Sequence, residues 1–144
     1  MLKVKYLQLD AALLMFRIGI GGILFITHGI EKIFHYNEML KWYPDPFHMG
    51  RMPGFIVASL ADAVCSLLIV FGLSIRVASV FVAFNLVVGL VFVHRVNVLE
   101  IHGELIICYL SAMALLFSTG AGKWSLDHFF SIQIKPQTSY EKIF

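Results

Sequence analysis

Ionisable side chains inside otherwise apolar stretches are the first candidates for chemistry in this sequence. Arg17 and His28 lie eleven residues apart in the apolar segment 11–34, which separates them by about 16 Å along a helix axis, and Lys32 falls on the same helical stripe. Asp62 is the one charged residue of the apolar segment 54–75. A charge in hydrocarbon costs at least about 2.5 kcal/mol, so such side chains usually face protein or a wet cavity. We therefore expect these side chains to meet inside the protein.

The pair of Arg17 and Asp62 has two interpretations. It could be a structural ion pair that fixes the register of two helices, because each charge would satisfy the other. Alternatively, it could be a binding site, because the forked donors of arginine suit an oxyanion or a quinone oxygen.

A second group of polar residues is expected near one end of the apolar segments, and it consists of His28, His94, His102 and Glu104. Histidine and carboxylate groups from different helices could bind zinc, copper or iron. No pair has the close spacing of a motif such as HxxxH, which argues against metal or haem. Histidine has a pKa of about 6.5 and suits the proton transfer that quinone reduction requires. A proton path to a quinone and a polar cluster without chemistry both stay open.

The composition indicates that these residues belong to an integral membrane protein. Hydrophobic residues make up 59% of the chain and charged residues 14%, whereas soluble domains have about 45–50% and about 25%. A membrane-spanning helix needs about 20 mostly apolar residues. Four segments provide them: 11–34, 54–75, 77–94 and 101–119. We predict an all-α fold, with one domain over 1–144 whose four transmembrane helices form an antiparallel up-down-up-down bundle with both termini on the same side.

The connecting segments indicate an orientation in the membrane. Lysine and arginine residues are more numerous on the side that would hold the two termini, which favours cytoplasmic termini. On the outer side, the loop 35–53 contains Trp42, Tyr43 and Phe47, which suit a membrane interface or a lid over a ligand. On the inner side, the tail 120–144 is expected to lie along the surface.

Other features of the sequence limit the possible functions. The formal net charge of +2 is too small to indicate binding to nucleic acid. Cys65 and Cys108 lie in predicted spans without a CxxC pair, so we expect no disulfide framework. Gly19, Gly21 and Gly22 are predicted to form a close-packing surface for another helix, of the same chain or of a second copy.

A series of short motifs extends over nearly the whole chain, and it consists of Arg17 with His28-Gly29 and Lys32, Ala61-Asp62, Gly72 with Arg76, Gly103-Glu104, and GAGKWSLD at 120–127. In order and spacing, these motifs resemble the DoxX family of small four-helix bacterial membrane proteins. That family usually has glutamate at the position of Asp62 and a pair of small glycines at the position of Cys65-Ser66. The acid is therefore shorter here, and the helices are expected to lie slightly further apart.

The resemblance implies a protein of the bacterial inner membrane that is linked to redox chemistry, because the name-giving members resemble the membrane subunit of a thiosulfate:quinone oxidoreductase. A soluble redox partner at the cytoplasmic side would then supply electrons, since the sequence shows no flavin, haem or cluster motif. Our leading hypothesis is an outward-facing polar pocket that binds quinone or a small anion. The expected ligand-binding residues are Arg17, His28, Lys32 and His94. The expected proton carriers are Asp62, Glu104 and His28.

Two functions of other classes stay open. The chain could be a non-enzymatic scaffold or assembly factor that recruits a soluble partner through 120–144. It could also be a small proton-coupled transporter that works as a homodimer, with the polar cluster as the path of its substrate.

Overall fold

The computed structural model describes residues 2–45, 48–93 and 101–134, with side chains in 8–45, 48–92 and 103–130. Within these residues the protein is helical, and the turns and short loops contain no strand. Helix α1 consists of Leu2–Leu24, Phe25–Gly29 and Ile30–Phe34; α2 is Tyr36–Trp42; α3 consists of Arg51–Ser59, Leu60–Cys65 and Ser66–Phe71; α4 consists of Ile75–Val88 and Gly89–Val93; α5 is Ile101–Thr119; and α6 is Leu126–Ile134. The middle part of α1 and of α3 and the last part of α4 are π-helical.

The apolar segments of the sequence form the long helices. Three stretches of the described residues are long and apolar enough to cross a membrane: Gln8–Phe34, Arg51–Phe71 and Ile75–Phe92. A shorter apolar helix, Gly103–Thr119, lies where we predicted the fourth span. The helical and membrane character of the chain is therefore confirmed.

The second span ends earlier than we predicted, at Phe71 instead of residue 75. Gly72 takes a left-handed conformation with φ of 70°, which glycine adopts without steric cost. The N–H of Gly72 donates to the Ile69 carbonyl at 3.2 Å, and the N–H of Leu73 donates to the Leu68 carbonyl at 2.9 Å. These two bonds are those of a Schellman motif, which ends α3 and leads directly into α4.

The hydrophobic core is formed by four helices, and its buried members are Leu24, Ile69, Ile75, Ala78, Val82, Tyr109, Ala112, Met113 and Leu116. Helix α1 packs mainly on α3, and α4 packs mainly on α5. The contact between α1 and α3 is close, because a Cβ added at Gly21 would lie 2.9 Å from the Ser66 carbonyl oxygen. The predicted packing role is confirmed for Gly21, whereas a Cβ at Gly19 or Gly22 would meet no described atom within 4 Å.

The contacts of α1 with α3 run in opposite order along the two helices. Gly29 of α1 lies against Asp62 and Ala63, and Gly21 lies against Ser66 and Val70. This register creates two ends with different chemistry: the Asp62 end, which Gly29 adjoins, and the Arg17 end, which the turn at Gly72 adjoins.

Candidate functional site

Asp62 is the centre of a polar cluster that three helices build. Lys32 of α1 donates from Nζ to Oδ2 of Asp62 and forms an ion pair with it. Asn85 of α4 donates from Nδ2 to the other carboxylate oxygen, Oδ1, at 3.0 Å. The side chains of Lys32 and Asp62 are only 12% and 7% exposed, so their mutual attraction is screened less than that of a surface pair. We call Lys32, Asp62 and Asn85 the polar triad.

Two π-helical turns lie in contact at the Asp62 end. Asp62 lies in the π-helical part of α3, and His28 lies in that of α1. Such turns are rare and often occur at functional sites, because the additional residue disturbs the regular backbone hydrogen bonds. The hydroxyl of Ser66 donates to the Asp62 carbonyl at 2.5 Å, and that of Thr27 donates to the Ile23 carbonyl at 2.7 Å. A hydroxyl group therefore donates to a backbone carbonyl within the turn of α3, and another donates to a carbonyl just before the turn of α1.

A cavity of about 360 Å³ adjoins the triad. Its walls are largely apolar and include Val57 of α3, Phe84 and Phe92 of α4, and Leu105 and Ile106 of α5. All three triad residues line it, together with His28. Ligand sites in proteins commonly have volumes of about 300–1,000 Å³, apolar walls and a few convergent polar groups. The cavity therefore has the size and the polarity of a binding site for a small, mostly apolar molecule.

Tyr43, in the loop after α2, lines the same cavity. Its ring packs edge-on against Phe55, with the ring centres 5.1 Å apart, and Tyr36 packs on Phe55 in the same way at 5.2 Å. Burial, and to a smaller extent the negative charge of Asp62, raises the pKa of Tyr43. The Tyr43 hydroxyl is therefore a neutral hydrogen-bond donor at the cavity.

The predicted pair of Arg17 and Asp62 is wrong. Arg17 is fully buried at the Arg17 end, where Nη2 donates to the Trp124 carbonyl at 2.6 Å and Nε donates to the Leu13 carbonyl at 3.4 Å. The register between α1 and α3 is the reason. It places Arg17 beside Gly72, and it places Lys32 beside Asp62. Lys32 lies on the same stripe of α1, about 22 Å further along the axis. Arg17 therefore does not line the cavity, although its predicted role in ligand binding would require it to do so.

The other predicted site residues have different positions. His28 lines the cavity and is also exposed. Glu104 is exposed on α5 and does not line the cavity. His94 lies outside the described residues, as does the side chain of His102. In the part of the chain that the structure describes, no three histidine, cysteine, aspartate or glutamate side chains come together as a metal site would need.

Sequence reasoning did not select two residues of the site. Asn85 is an isolated amide in an apolar helix, and such a residue usually indicates a buried partner. Tyr43 was expected at the membrane interface or in a lid, but its position next to Phe55 depends on how the loop folds back, for which the sequence holds no periodic signal.

Comparison with known protein families gives a match. The DoxX family model matches residues 12–95, whereas neither the curated proteins nor the solved structures contain a match. The matched residues include α1 from residue 12 onwards and all of α2, α3 and α4, and therefore the whole polar triad. Since the match covers more than half of the chain, this protein belongs to the DoxX family.

Proposed function

We propose that this protein binds the ring of a quinone or quinol in the cavity beside the polar triad and acts as a redox-associated membrane protein. The DoxX family is generally linked to redox functions in membranes. The observation that carries the proposal is the combination of apolar walls with hydrogen-bonding groups at one side of the cavity. A quinone likewise combines an apolar part with a polar part, since its ring is apolar and its two carbonyl oxygens accept hydrogen bonds.

The charges of the cavity favour a quinone over a small anion. The ion pair of Lys32 with Asp62 leaves no net positive charge between these two groups. For an anion about 4 Å from the carboxylate, a repulsion of about 4 kcal/mol at the effective dielectric of a protein surface would offset the attraction of Lys32. Arg17, the group best suited to an oxyanion, lies at the other end of the helices.

Each residue of the cavity would have a definite task. Lys32 and Asn85 would orient a carbonyl oxygen by donating hydrogen bonds, while Asp62 keeps both donors in place. Asp62 would also hold or release a proton. His28 and the hydroxyl of Tyr43, which line the same cavity, would be the next groups on the path of this proton. A bound quinone would supply two-electron, two-proton redox chemistry. A soluble partner would deliver the electrons.

The membrane topology that fits this function is the antiparallel four-helix bundle. Helix α5 has 19 residues and is about 29 Å long, which matches a hydrocarbon core of about 30 Å. It would therefore cross the bacterial inner membrane as the fourth span, after α1, α3 and α4. Both termini would lie in the cytoplasm, and the cavity would lie towards the outer side.

Quinone binding tests the proposal. Purified protein in lipid nanodiscs would be equilibrated with decylubiquinone, and the bound quinone would be measured by extraction and chromatography. Val57→Trp fills the cavity from its wall, and Val77→Trp, on the exposed face of α4, is the matched control. Asn85→Leu removes one donor of the triad.

We expect saturable binding of quinone to the wild type and to Val77→Trp, and loss of binding in Val57→Trp. In Asn85→Leu the affinity should be about 5- to 10-fold lower, since one hydrogen bond contributes about 1 kcal/mol. Binding that is absent, or equal in all four proteins, would contradict the proposal. Proton-dependent uptake of a solute into proteoliposomes by the same protein would instead favour the transporter.

A further inference from the structure

Three hydrogen bonds join the Arg17 end to the first turn of α6 and to the segment before it. Arg17 donates to the Trp124 carbonyl at 2.6 Å. The N–H of Lys123 donates to Oδ1 of Asp10 at 3.1 Å. The N–H of Asp127 donates to the Gly72 carbonyl at 3.2 Å. Two of these bonds reach α1 and one reaches the turn between α3 and α4, so the start of α6 is fixed against both.

Ser125 sets the direction in which α6 leaves this point. Its hydroxyl accepts the N–H of His128 at 3.2 Å and donates to the Gly122 carbonyl at 2.7 Å. This is the bonding of a helix N-cap. Asp127 lies in the first turn of α6, where its negative charge opposes the positive end of the helix dipole.

The side chains around the start of α6 include a group of exposed apolar residues. Trp124, Leu126, Phe129 and Phe130 are between 37% and 56% exposed, and all four lie at the Arg17 end. The bond from Asp127 to Gly72 places this group at the level of the α3–α4 turn, where Phe71 and Val77 are also exposed. The exposed apolar residues of α6 therefore lie at the level where the exposed apolar residues of α3 and α4 begin.

We propose that α6 lies in the plane of the membrane at the headgroup boundary, that Trp124, Phe129 and Phe130 insert into lipid there, and that Arg17 is the positioning residue that holds the helix at this depth. Tryptophan favours this boundary, because its ring system is apolar and its N–H can reach water, and phenylalanine is common on the apolar face that such a helix buries in lipid. A helix with an apolar face and a polar face binds a membrane surface in this way. The occupant of the face is lipid and not a soluble protein, because the face lies at the level where the exposed apolar residues of the spans begin, so a soluble partner would have to enter the headgroup region to cover it.

Site-directed spin labelling of the full chain in nanodiscs tests this inference. Both native cysteines are replaced by alanine, and a nitroxide is attached at Phe130→Cys or, as the matched control, at the exposed polar position His128→Cys. Oxygen concentrates in lipid, and a nickel chelate stays in water. We expect the label at 130 to be reached mainly by oxygen and the label at 128 mainly by nickel.

Two other results would overturn the inference. If nickel reaches both labels equally, α6 lies in water and is open to a soluble partner. If neither reagent reaches the label at 130, protein covers the face.

The role of Arg17 is tested separately by Arg17→Gln, which should move the label at 130 towards nickel while the helix content stays unchanged. An unmoved label would show that Arg17 does not position α6. If this variant fails to fold, Trp42→Phe leaves Trp124 as the only tryptophan of the chain. Lipids brominated near the headgroup should then quench the fluorescence of Trp124 strongly, and an absence of quenching would contradict the proposed depth.

Discussion

Replacing Gly72 by alanine should disrupt the Arg17 end through two separable effects. The backbone of Gly72 has φ of 70°, a left-handed conformation that costs residues with a Cβ about 1–2 kcal/mol. The added Cβ would also lie 1.8 Å from Nη1 of Arg17 and 2.7 Å from Cβ of Ser125. The guanidinium must move, and the bond to the Trp124 carbonyl breaks. A hydrogen bond from a charged group contributes about 1.5–3 kcal/mol, so the total loss should be about 2.5–5 kcal/mol.

Gly120→Ala separates the two effects. Gly120 has φ of 76°, but a Cβ there would meet no described atom within 4 Å. This variant should therefore lose only the backbone part, about 1–2 kcal/mol. The assay is unfolding by SDS titration in mixed micelles, followed by circular dichroism. Equal losses in the two variants would refute the reasoning, because they would show that Arg17 does not occupy the space beside Gly72.

Other predictions concern the Asp62 end. Gly29→Ala would place a Cβ 2.8 Å from the Asp62 carbonyl oxygen and should cost about 1–3 kcal/mol, because it forces α1 away from α3. Gly22→Ala, whose Cβ would have no described atom within 4 Å, should instead stabilise the helix by about 0.5–1 kcal/mol. SDS titration measures both variants, and similar effects would mean that the helices are not close at Gly29. Asp62→Asn should cost about 3–5 kcal/mol, because the buried Lys32 loses its counter-charge, and Lys32→Met combined with Asp62→Leu should recover most of it; a double variant as unstable as the single one would be evidence against the ion pair. The pKa of Tyr43 is raised by burial, so its stabilising contribution is complete below the unfolded value of about 10 and is lost as the pH rises through the folded value. Above about pH 10 the wild type should therefore lose more stability than Tyr43→Phe, and parallel pH profiles would exclude this contribution.

The helices and the membrane character could be predicted because both depend on local sequence. Stretches of about 20 apolar residues indicate spans wherever they occur. The turn after α3 was also predictable, because a glycine followed closely by an arginine interrupts the apolar pattern at Gly72 and Arg76. The same local reasoning placed Asp62 inside the protein, where it is 5% exposed.

The partners of the charged groups could not be predicted, because they depend on the register between helices. Arg17 and Lys32 lie on one stripe of α1, and either could have met Asp62. The register is set by the close approach of Gly21 and Gly29 to α3. Two glycines eight residues apart were the available signal, but the sequence does not show which residues of α3 they face.

The position of the loop was equally hard to predict. Tyr43 turns towards Phe55 and the cavity, whereas its neighbour Trp42 is 88% exposed. Phe47, which was expected to act with them, lies outside the described residues. Adjacent aromatic residues with opposite exposure have no distinguishing pattern in the sequence, because only the folded loop decides which ring is covered.

Photoaffinity labelling with an azido-quinone tests the central claim most directly, since it reports where the ring binds. The protein would be labelled in nanodiscs with and without excess unlabelled quinone, and the modified peptides would be mapped by mass spectrometry. We predict labels in the stretches 43–45, 49–57, 84–92 and 105–109, which contain the residues that line the cavity, and we expect them to be removed by the competitor and absent from Val57→Trp. Labels that are spread over the lipid-facing surfaces of the helices and resist competition would contradict a quinone site beside Asp62.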